Sequence, residues 1–513
     1  MARKSEPAPE AQNELRQDVQ RIQELRAARL DAARPEAVAK RRKTGHWTAR
    51  ENVDTFLDAD TLVEYGALAR PAVEGMTGAA DGLIIGTGRV AGHPCAVMAY
   101  DYTVYAGTQS LVNHAKHDRI FEVAHDMRLP LIMWLEGGGA RPHDLKVGLG
   151  LDLPTFFVFG KLSGLVPLVG IVAGRCFAGN ANLAGMVDVL IATPKANIGM
   201  AGPALIEPGL GRKVTPEEIG PMDVQVPNGV VDLEADDEAH AIALAKQYLG
   251  YFRGRVETWQ APEVEKLRDI VPENPRRAYN VRKVIDNLVD VGSDLELRPR
   301  FGRAIVTTLA RIEGYPVGII ANQPMFLAGA IDSPASDKAS RFIQLCDAFD
   351  IPILFLCDTP GLMVGPDVEQ TALVRHSGRL LINIAACTVP FMTVILRKLY
   401  GLGGYIMGSK GLRPQLLVGW PTAEFGGMGL EGAVNLIYAR ELAAAPDEAA
   451  RAEMHAGYTA ELKRMNTAVE VAGKFEIDDI IDPADTRAFL ARTLGALPPP
   501  APRTARKHMI DAW

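Results

Sequence analysis

Short apolar runs alternate along this chain with longer stretches of helical period. Cys95–Tyr100 and Val317–Asn322 are compact, β-rich and each followed by a glycine-containing turn, as strands are. Lys116–Arg128 and Lys338–Phe349 have the spacing of amphipathic helices. Apolar strands follow at Leu131–Leu135 and Ile353–Cys357, closing on glycine-rich loops at Glu136–Ala140 and Asp358–Gly361. Further strands, Val169–Ala173 and Met392–Leu396, run toward Ala178-Gly179 and Gly401–Gly404. Strands alternating with helices predict an α/β fold. The greasiest stretch, Leu149 to Ala173, is broken by Asp152, Pro154, Lys161 and Pro167, which predicts buried elements rather than a membrane span.

The pattern occurs twice. Gly92-His93-Pro94 and Gly314-Tyr315-Pro316 open equivalent runs, and a shift of 222 positions brings Ala99 onto Ala321, Lys116 onto Lys338, Pro130 onto Pro352 and Gly139 onto Gly361. Upstream the shift is 232: Arg50 meets Arg282, Asp58 meets Asp290, and Glu64 meets Glu296. An unbroken register carrying the same turn residues predicts a duplicated domain. The expected organisation is an N-terminal helical extension over 1–44, one domain over 45–260, a second over 270–497, and a tail over 498–513. The proline-containing, charged segment Phe252 to Arg277 is the expected linker.

Composition narrows the function classes. A formal charge of −7 over 513 residues argues against a nucleic-acid binder. The five cysteines are scattered without a CxxC pair, which suits a reducing cytoplasm and supplies no zinc site. No secretory leader is apparent. In the extension, Leu15, Val19, Ile22 and Leu25 form one stripe, expected to lie on the chain's own domain. The basic run Lys40-Arg41-Arg42-Lys43 is expected to be a solvated helix end, and His114 and His117 a solvated pair.

Few side chains announce catalysis. There is no GxSxG elbow and no phosphate-binding P-loop; Gly86-Thr87-Gly88 lacks the third glycine of a dinucleotide fingerprint. No histidine spacing predicts a metal. What remains is backbone: Gly137-Gly138-Gly139-Ala140, Ala178-Gly179 and Gly401-Leu402-Gly403-Gly404 each follow a strand and lead toward a helix. Amides left unpaired at such a turn can stabilise an oxyanion, and duplication offers a pair of such sites for two carbonyl compounds.

Specific motifs then carry a resemblance. Ala321-Asn322-Gln323-Pro324, Cys346-Asp347-Ala348-Phe349, Arg397-Lys398-Leu399-Tyr400-Gly401, Met407-Gly408-Ser409-Lys410 and Trp420-Pro421-Thr422-Ala423-Glu424 resemble the carboxyltransferase (β) subunits of biotin-dependent acyl-CoA carboxylases, the propionyl-CoA and acetyl-CoA carboxylase type. In the first half, Thr48-Ala49-Arg50-Glu51, Gly138-Gly139-Ala140-Arg141 and Val214-Thr215-Pro216-Glu217-Glu218 are similar too. The resemblance covers about residues 45 to 495. It implies two tandem crotonase-like (ClpP/crotonase) ββα-superhelix domains in a homo-oligomer, usually a hexamer, with acyl-CoA on the first domain and biotin on the second domain of a neighbour. The implied reaction moves CO2 from carboxybiotin to the α-carbon of a coenzyme A thioester through an enolate, the cofactor doing the proton chemistry. By motif match, Ala178 and Gly179 would serve one carbonyl, and Leu402 and Gly403 the other. Gly138, Gly139, Ala140, Arg141 and Tyr405 would contact substrate, and Gly401 and Gly404 the cofactor.

The sequence also departs from this family's pattern. Ala178-Gly179 stands where Gly-Gly is usual, Asn180 is unexpected, Leu402 replaces a common glycine, and Glu136-Gly137 stands where Asp-Ser is frequent. Tyr405 falls at a position that influences acyl-chain choice. No Met-Lys biotin-attachment dipeptide and no ATP-binding loop occur, so the implied partner is a biotin carboxylase or biotin carboxyl carrier subunit. Two other readings are a biotin-dependent decarboxylase α subunit, which runs the half-reaction backwards, and an inactive structural paralogue.

Overall fold

A computed structural model describes residues 15–147, 153–275, 277–500 and 509–513. The opening residues, the start of the apolar stretch at 148–152 and most of the basic tail fall outside them. The first half forms a sheet ordered β1-β2-β3-β4-β5-β7-β9: β1 is Val63–Tyr65, β2 Leu83–Val90, β3 His93–Tyr100, β4 Leu131–Trp134, β5 Leu168–Val172, β7 Val189–Ala192 and β9 Leu233–Glu234. Two short strands off this path, β6 (Arg175–Phe177) and β8 (Asn197–Gly199), pair with each other. The second half repeats the order as β10-β11-β12-β13-β14-β15-β17: Leu295–Leu297, Ile305–Ile312, Tyr315–Asn322, Ile353–Thr359, Phe391–Tyr400, Leu416–Gly419 and Asp479–Ile480. The remaining strand, β16 (Glu424–Gly426), pairs with β14. In both halves an antiparallel hairpin feeds a parallel run, and the pairings are in register: Ala99 faces Trp134 as Ala321 faces Leu356.

The duplicated residues have duplicated tasks. The hairpin turns place Ala91 and Glu313 at φ 49°, each followed by a glycine at φ 78° or 79°. Asp58 accepts hydrogen bonds from the Ala91 and Gly92 amides at 2.9 and 2.7 Å; Asp290 accepts from Glu313 and Gly314 at 2.9 and 2.8 Å. Arg50 pairs with Glu64 at 3.0 Å, and Arg282 with Glu296. Lys116 donates to the Leu83 carbonyl and Lys338 to the equivalent Ile305 carbonyl, at 2.8 Å in the second case. An amine so deeply buried needs such partners.

The long helices lie where the periodicity puts them, at Leu111–Met127 and Ser333–Ala348. Both begin earlier than apolar spacing indicates, because Ser110 and Asp332 cap the first turns by accepting from Asn113 and Ala335. Strands β2 and β11 escaped the sequence reading. Strand β11 is buried on both faces, and β2 is too until its end at Thr87 and Arg89, so they lack alternation, and β2 contains Gly86 and Gly88.

One core cluster crosses between the halves. Ala241, Ile242, Ala245 and Tyr248 of the helix Glu238–Gly250 join Phe342 and Ile343 of Ser333–Ala348. Each large apolar side chain fully buried there contributes roughly 1.5–3 kcal/mol. Arg298 adds a buried ion pair to Asp232 at 2.8 Å, and Arg341 donates to the Val187 and Asp188 carbonyls. The expected linker lies in the stretch between β9 and β10. Beyond the proline-rich spacer, Met509–Trp513 docks across the halves, with Ser163 donating to the Ile510 carbonyl and Arg341 to that of Asp511.

The N-terminal extension is broken into two helices, Gln17–Ala27 and Pro35–Lys43, by a tight turn at Asp31–Ala33. Leu15, Val19, Ile22 and Leu25 are all exposed, so the expected packing of this stripe on its own domain is not made.

Candidate active site

The loop after β4 is shaped by glycines whose neighbours leave no room for a side chain. Gly137 (φ 150°) donates to the Arg175 carbonyl at 2.8 Å, and a Cβ on it would lie 2.0 Å from the Gly107 carbonyl oxygen. A Cβ on Gly139 (φ 83°) would lie 2.5 Å from the Ala178 methyl. Gln109 staples this loop from one side: its amide donates to the Gly139 carbonyl at 2.7 Å, and its carbonyl accepts from Arg141 at 2.6 Å. Asn180, fully buried, clamps it from the other side. Its Nδ2 donates to the Glu136 and Gly107 carbonyls at 3.1 and 3.3 Å, and its Oδ1 accepts from the Gly139 amide at 3.1 Å. Gly138 and Ala140 are left exposed, and the Gly138 amide has no acceptor among the described residues.

The turn after β6 comes to the same place. Ala178 sits at φ 52°, ψ −123°, and its amide donates to the Gly199 carbonyl at 3.0 Å. This corrects the expectation of two adjacent donors: the Ala178 amide is spent on the chain, and Gly179 supplies the free one. Gly179 must remain glycine, since a Cβ there would approach Gln109 Oε1 to 2.2 Å.

Arg141 also departs from expectation. It is 1% exposed, pairs with Asp81 at 2.6 Å, donates to the Thr108 carbonyl and lies over the Tyr105 ring. Its guanidinium fixes the loop and has no face left for substrate.

A cavity of about 710 Å³ opens beside this loop, lined among others by Lys40, Arg41, Tyr102, Glu136, Arg175 and Lys195. Its outer wall is the helix Pro35–Lys43, so the basic run is not simply a solvated helix end. Lys40 faces the cavity, while Arg41 is buried and grips Glu136 with two hydrogen bonds. Burial pushes the Glu136 carboxyl above its ordinary value, and Arg41 opposes that shift. No periodicity could reveal this pairing, because its partners stand far apart in the chain.

The second turn has different walls. Gly401 sits at φ 58° directly after β14, as Ala178 sits at φ 52° directly after β6. Gly403 is buried against Gly361 and Leu362, where a Cβ would come within 2.4 Å of a backbone atom. Gly404 packs on Leu399, where a Cβ would come within 2.8 Å of a backbone atom. Leu402 and Tyr405 are exposed, and the amides of Leu402 and Gly403 have no acceptor among the described residues. The two turns thus present free main-chain amides in equivalent places, one beside a basic cavity and one on an open apolar surface.

Comparison with known proteins agrees with this architecture. The carboxyl transferase domain model matches residues 40–509. A propionyl-CoA carboxylase carboxyltransferase subunit from Haloferax mediterranei is 35% identical over 511 residues, 96% of this chain and 98% of the relative. Among solved structures, a single-chain, multi-domain long-chain acyl-CoA carboxylase superposes with a TM-score of 0.88 at 50% identity; it aligns with 93% of this chain, which spans 49% of that longer one. The transcarboxylase 12S hexamer, solved with methylmalonyl-CoA and methylmalonic acid bound, gives 0.86 at 32% identity, covering 96% of this chain and all of that one. With its doubled sheets, paired glycine turns and end-to-end match, this chain belongs to the carboxyl transferase family.

Proposed function

We propose that the chain is the carboxyltransferase component of a biotin-dependent acyl-CoA carboxylase, moving CO2 to the α-carbon of an acyl-CoA through an enolate. The observation that carries this reading is the pair of glycine turns with unsatisfied amides, the first beside a cavity rimmed by Lys40, Arg175 and Lys195. Those cations suit the phosphates of coenzyme A, and the glycine loop lets a thioester oxygen approach the Gly138 and Gly179 amides. Each such donor is worth about 3–4 kcal/mol toward an enolate in a dry site.

Leu402 and Gly403 suit a ureido carbonyl on the second half, since neither amide has an acceptor among the described residues. Biotin, when presented there by a partner, supplies the carboxyl group and the base. The protein's own task is to hold two carbonyls and exclude water. Leu402, Tyr405, Val364 and Val374 are 51%, 39%, 81% and 72% exposed on the second half, which favours closure of that site by another copy in a hexamer. Among the described residues no helix is long and apolar enough to cross a membrane. None of the five cysteines forms a disulfide, which suits a reducing compartment such as the cytoplasm.

One departure from family habit has a structural use, which favours an enzyme over an inactive paralogue: Asn180 clamps the loop. Incubating the chain with a biotinylated partner, ATP, bicarbonate and a panel of acyl-CoAs should yield carboxylated thioesters. Silence with every thioester would overturn the proposal.

A further inference from the structure

Beneath the first turn runs a buried polar chain that the reaction as described does not use. Gln109, Tyr100 and His117 are 3%, 2% and 0% exposed. Gln109 Nε2 donates to the Tyr100 hydroxyl at 2.8 Å, and that hydroxyl lies 2.7 Å from His117 Nε2. Behind them His117 stacks on Phe121, and His114, itself buried, bonds Thr155, which donates to Asp118. The two histidines are therefore interior residues, contrary to the solvated pair expected from sequence.

The direction of the chain follows from burial. Desolvation drives His117 well below the ordinary imidazole value, so the ring is neutral, and it keeps the Tyr100 hydroxyl protonated. With Gln109 donating, the Tyr100 oxygen accepts and its O–H donates to His117 Nε2, leaving the imidazole proton on Nδ1. Because Nε2 of Gln109 is committed to Tyr100, its Oε1 must face the other way. It lies against Gly179, close enough that a Cβ would be 2.2 Å away.

The second half provides an internal control. By the same shift of 222, Gln109, Tyr100 and His117 correspond to Ile331, Asn322 and Ala339. Ile331 makes the same backbone staple, donating to Gly361 and accepting from Met363, and Asn322 bonds the Gly329 carbonyl and the Asp358 amide instead of linking position 331 to 339. The scaffold therefore folds without these three residues, whereas the structural lysine is kept in both halves. The chain is costly, since the protonated Nδ1 of His117 is buried without a partner among the described residues, and its confinement to one half ties it to that half's chemistry.

We propose that Gln109, Tyr100 and His117 are positioning residues that fix the Gly179 amide, and the loop stapled by Gln109, for the thioester oxygen. This deepens the proposed function and rests on its reading of Gly179 as an oxyanion donor.

Tyr100→Phe keeps the ring and cuts both hydrogen bonds. It should lower kcat about tenfold while leaving KM for acyl-CoA near wild type, because a misaimed donor costs transition-state binding alone. The thermal midpoint should fall as well, since the buried Gln109 and His117 nitrogens lose their partner. His117→Gln, which retains an acceptor, should keep more activity than His117→Leu. Wild-type kcat in Tyr100→Phe overturns the proposal, and so does a loss carried by KM with kcat unchanged. Gly179→Pro in a Gln109→Ser background makes room for the ring and deletes the amide proton. If that double variant is no slower than Gln109→Ser alone, the donor reading fails. If it is about a hundredfold slower while Tyr100→Phe matches wild type, the donor stands and the relay falls.

Discussion

Replacing Arg41 by methionine would keep the aliphatic contacts of the helix Pro35–Lys43 and remove the charge that grips Glu136. The side chains of this pair are 7% and 10% exposed, so water cannot take over from the guanidinium. Breaking such a pair by removing one partner strands a buried charge. The stranded carboxyl can escape by taking up a proton, which bounds the ionic part of the penalty. From an ordinary value of 4.5, protonation at pH 7 costs about 3.4 kcal/mol, and at pH 6 about 2 kcal/mol. The sign follows by linkage. In the variant the folded-state carboxyl titrates far above the unfolded one, so the folded chain binds the extra proton, and stability is lost as pH rises. The deficit of Arg41→Met against wild type should therefore widen between pH 6 and 7, by no more than about 1.4 kcal/mol. Adding Glu136→Gln should restore most of it. Calorimetric midpoints, at fixed protein concentration and scan rate, would read this, with KM for acyl-CoA reporting the cavity wall. A deficit that is flat with pH, or one that Glu136→Gln does not repair, refutes the reasoning.

Asn180→Ala would leave the Glu136 and Gly107 carbonyls and the Gly139 amide without their clamp; about 2–3 kcal/mol of local stability should go, read as faster amide exchange over 137–139. Gly403→Pro deletes a donor at the second turn and should abolish turnover, although its ring must also pass the Gly361 backbone, so assembly is checked by sedimentation. Lys338, lowered by burial to about 7, releases its proton on folding between there and its unfolded value of 10.5. Stability should therefore rise with pH across that window, and Lys338→Met should flatten the rise in denaturant titrations at pH 7 and 9.

Much of the fold was legible because duplication displays it twice. Asp58 with Asp290, and Arg50 with Glu64 against Arg282 with Glu296, stand in register as letters, and each pair proves to do the same job in space. The strands β2 and β11 were illegible for a physical reason, since two buried faces erase the alternation that marks a strand. At the site, the glycine turns could be read from spacing alone. The fate of individual amides could not: whether Ala178 donates outward or to Gly199 depends on β8, a strand distant in sequence. Likewise Arg41 looked like one cation in a solvated run until Glu136 came beside it. Long-range partners decide such cases, and no local window contains them.

The shared offset between the halves turns the molecule into its own mutational reference. A residue changed at one hairpin, such as Asp58, has a twin at Asp290 under nearly identical backbone, so damage to folding can be matched and subtracted within a single polypeptide. Whatever remains after that subtraction belongs to what divergence added to one half alone.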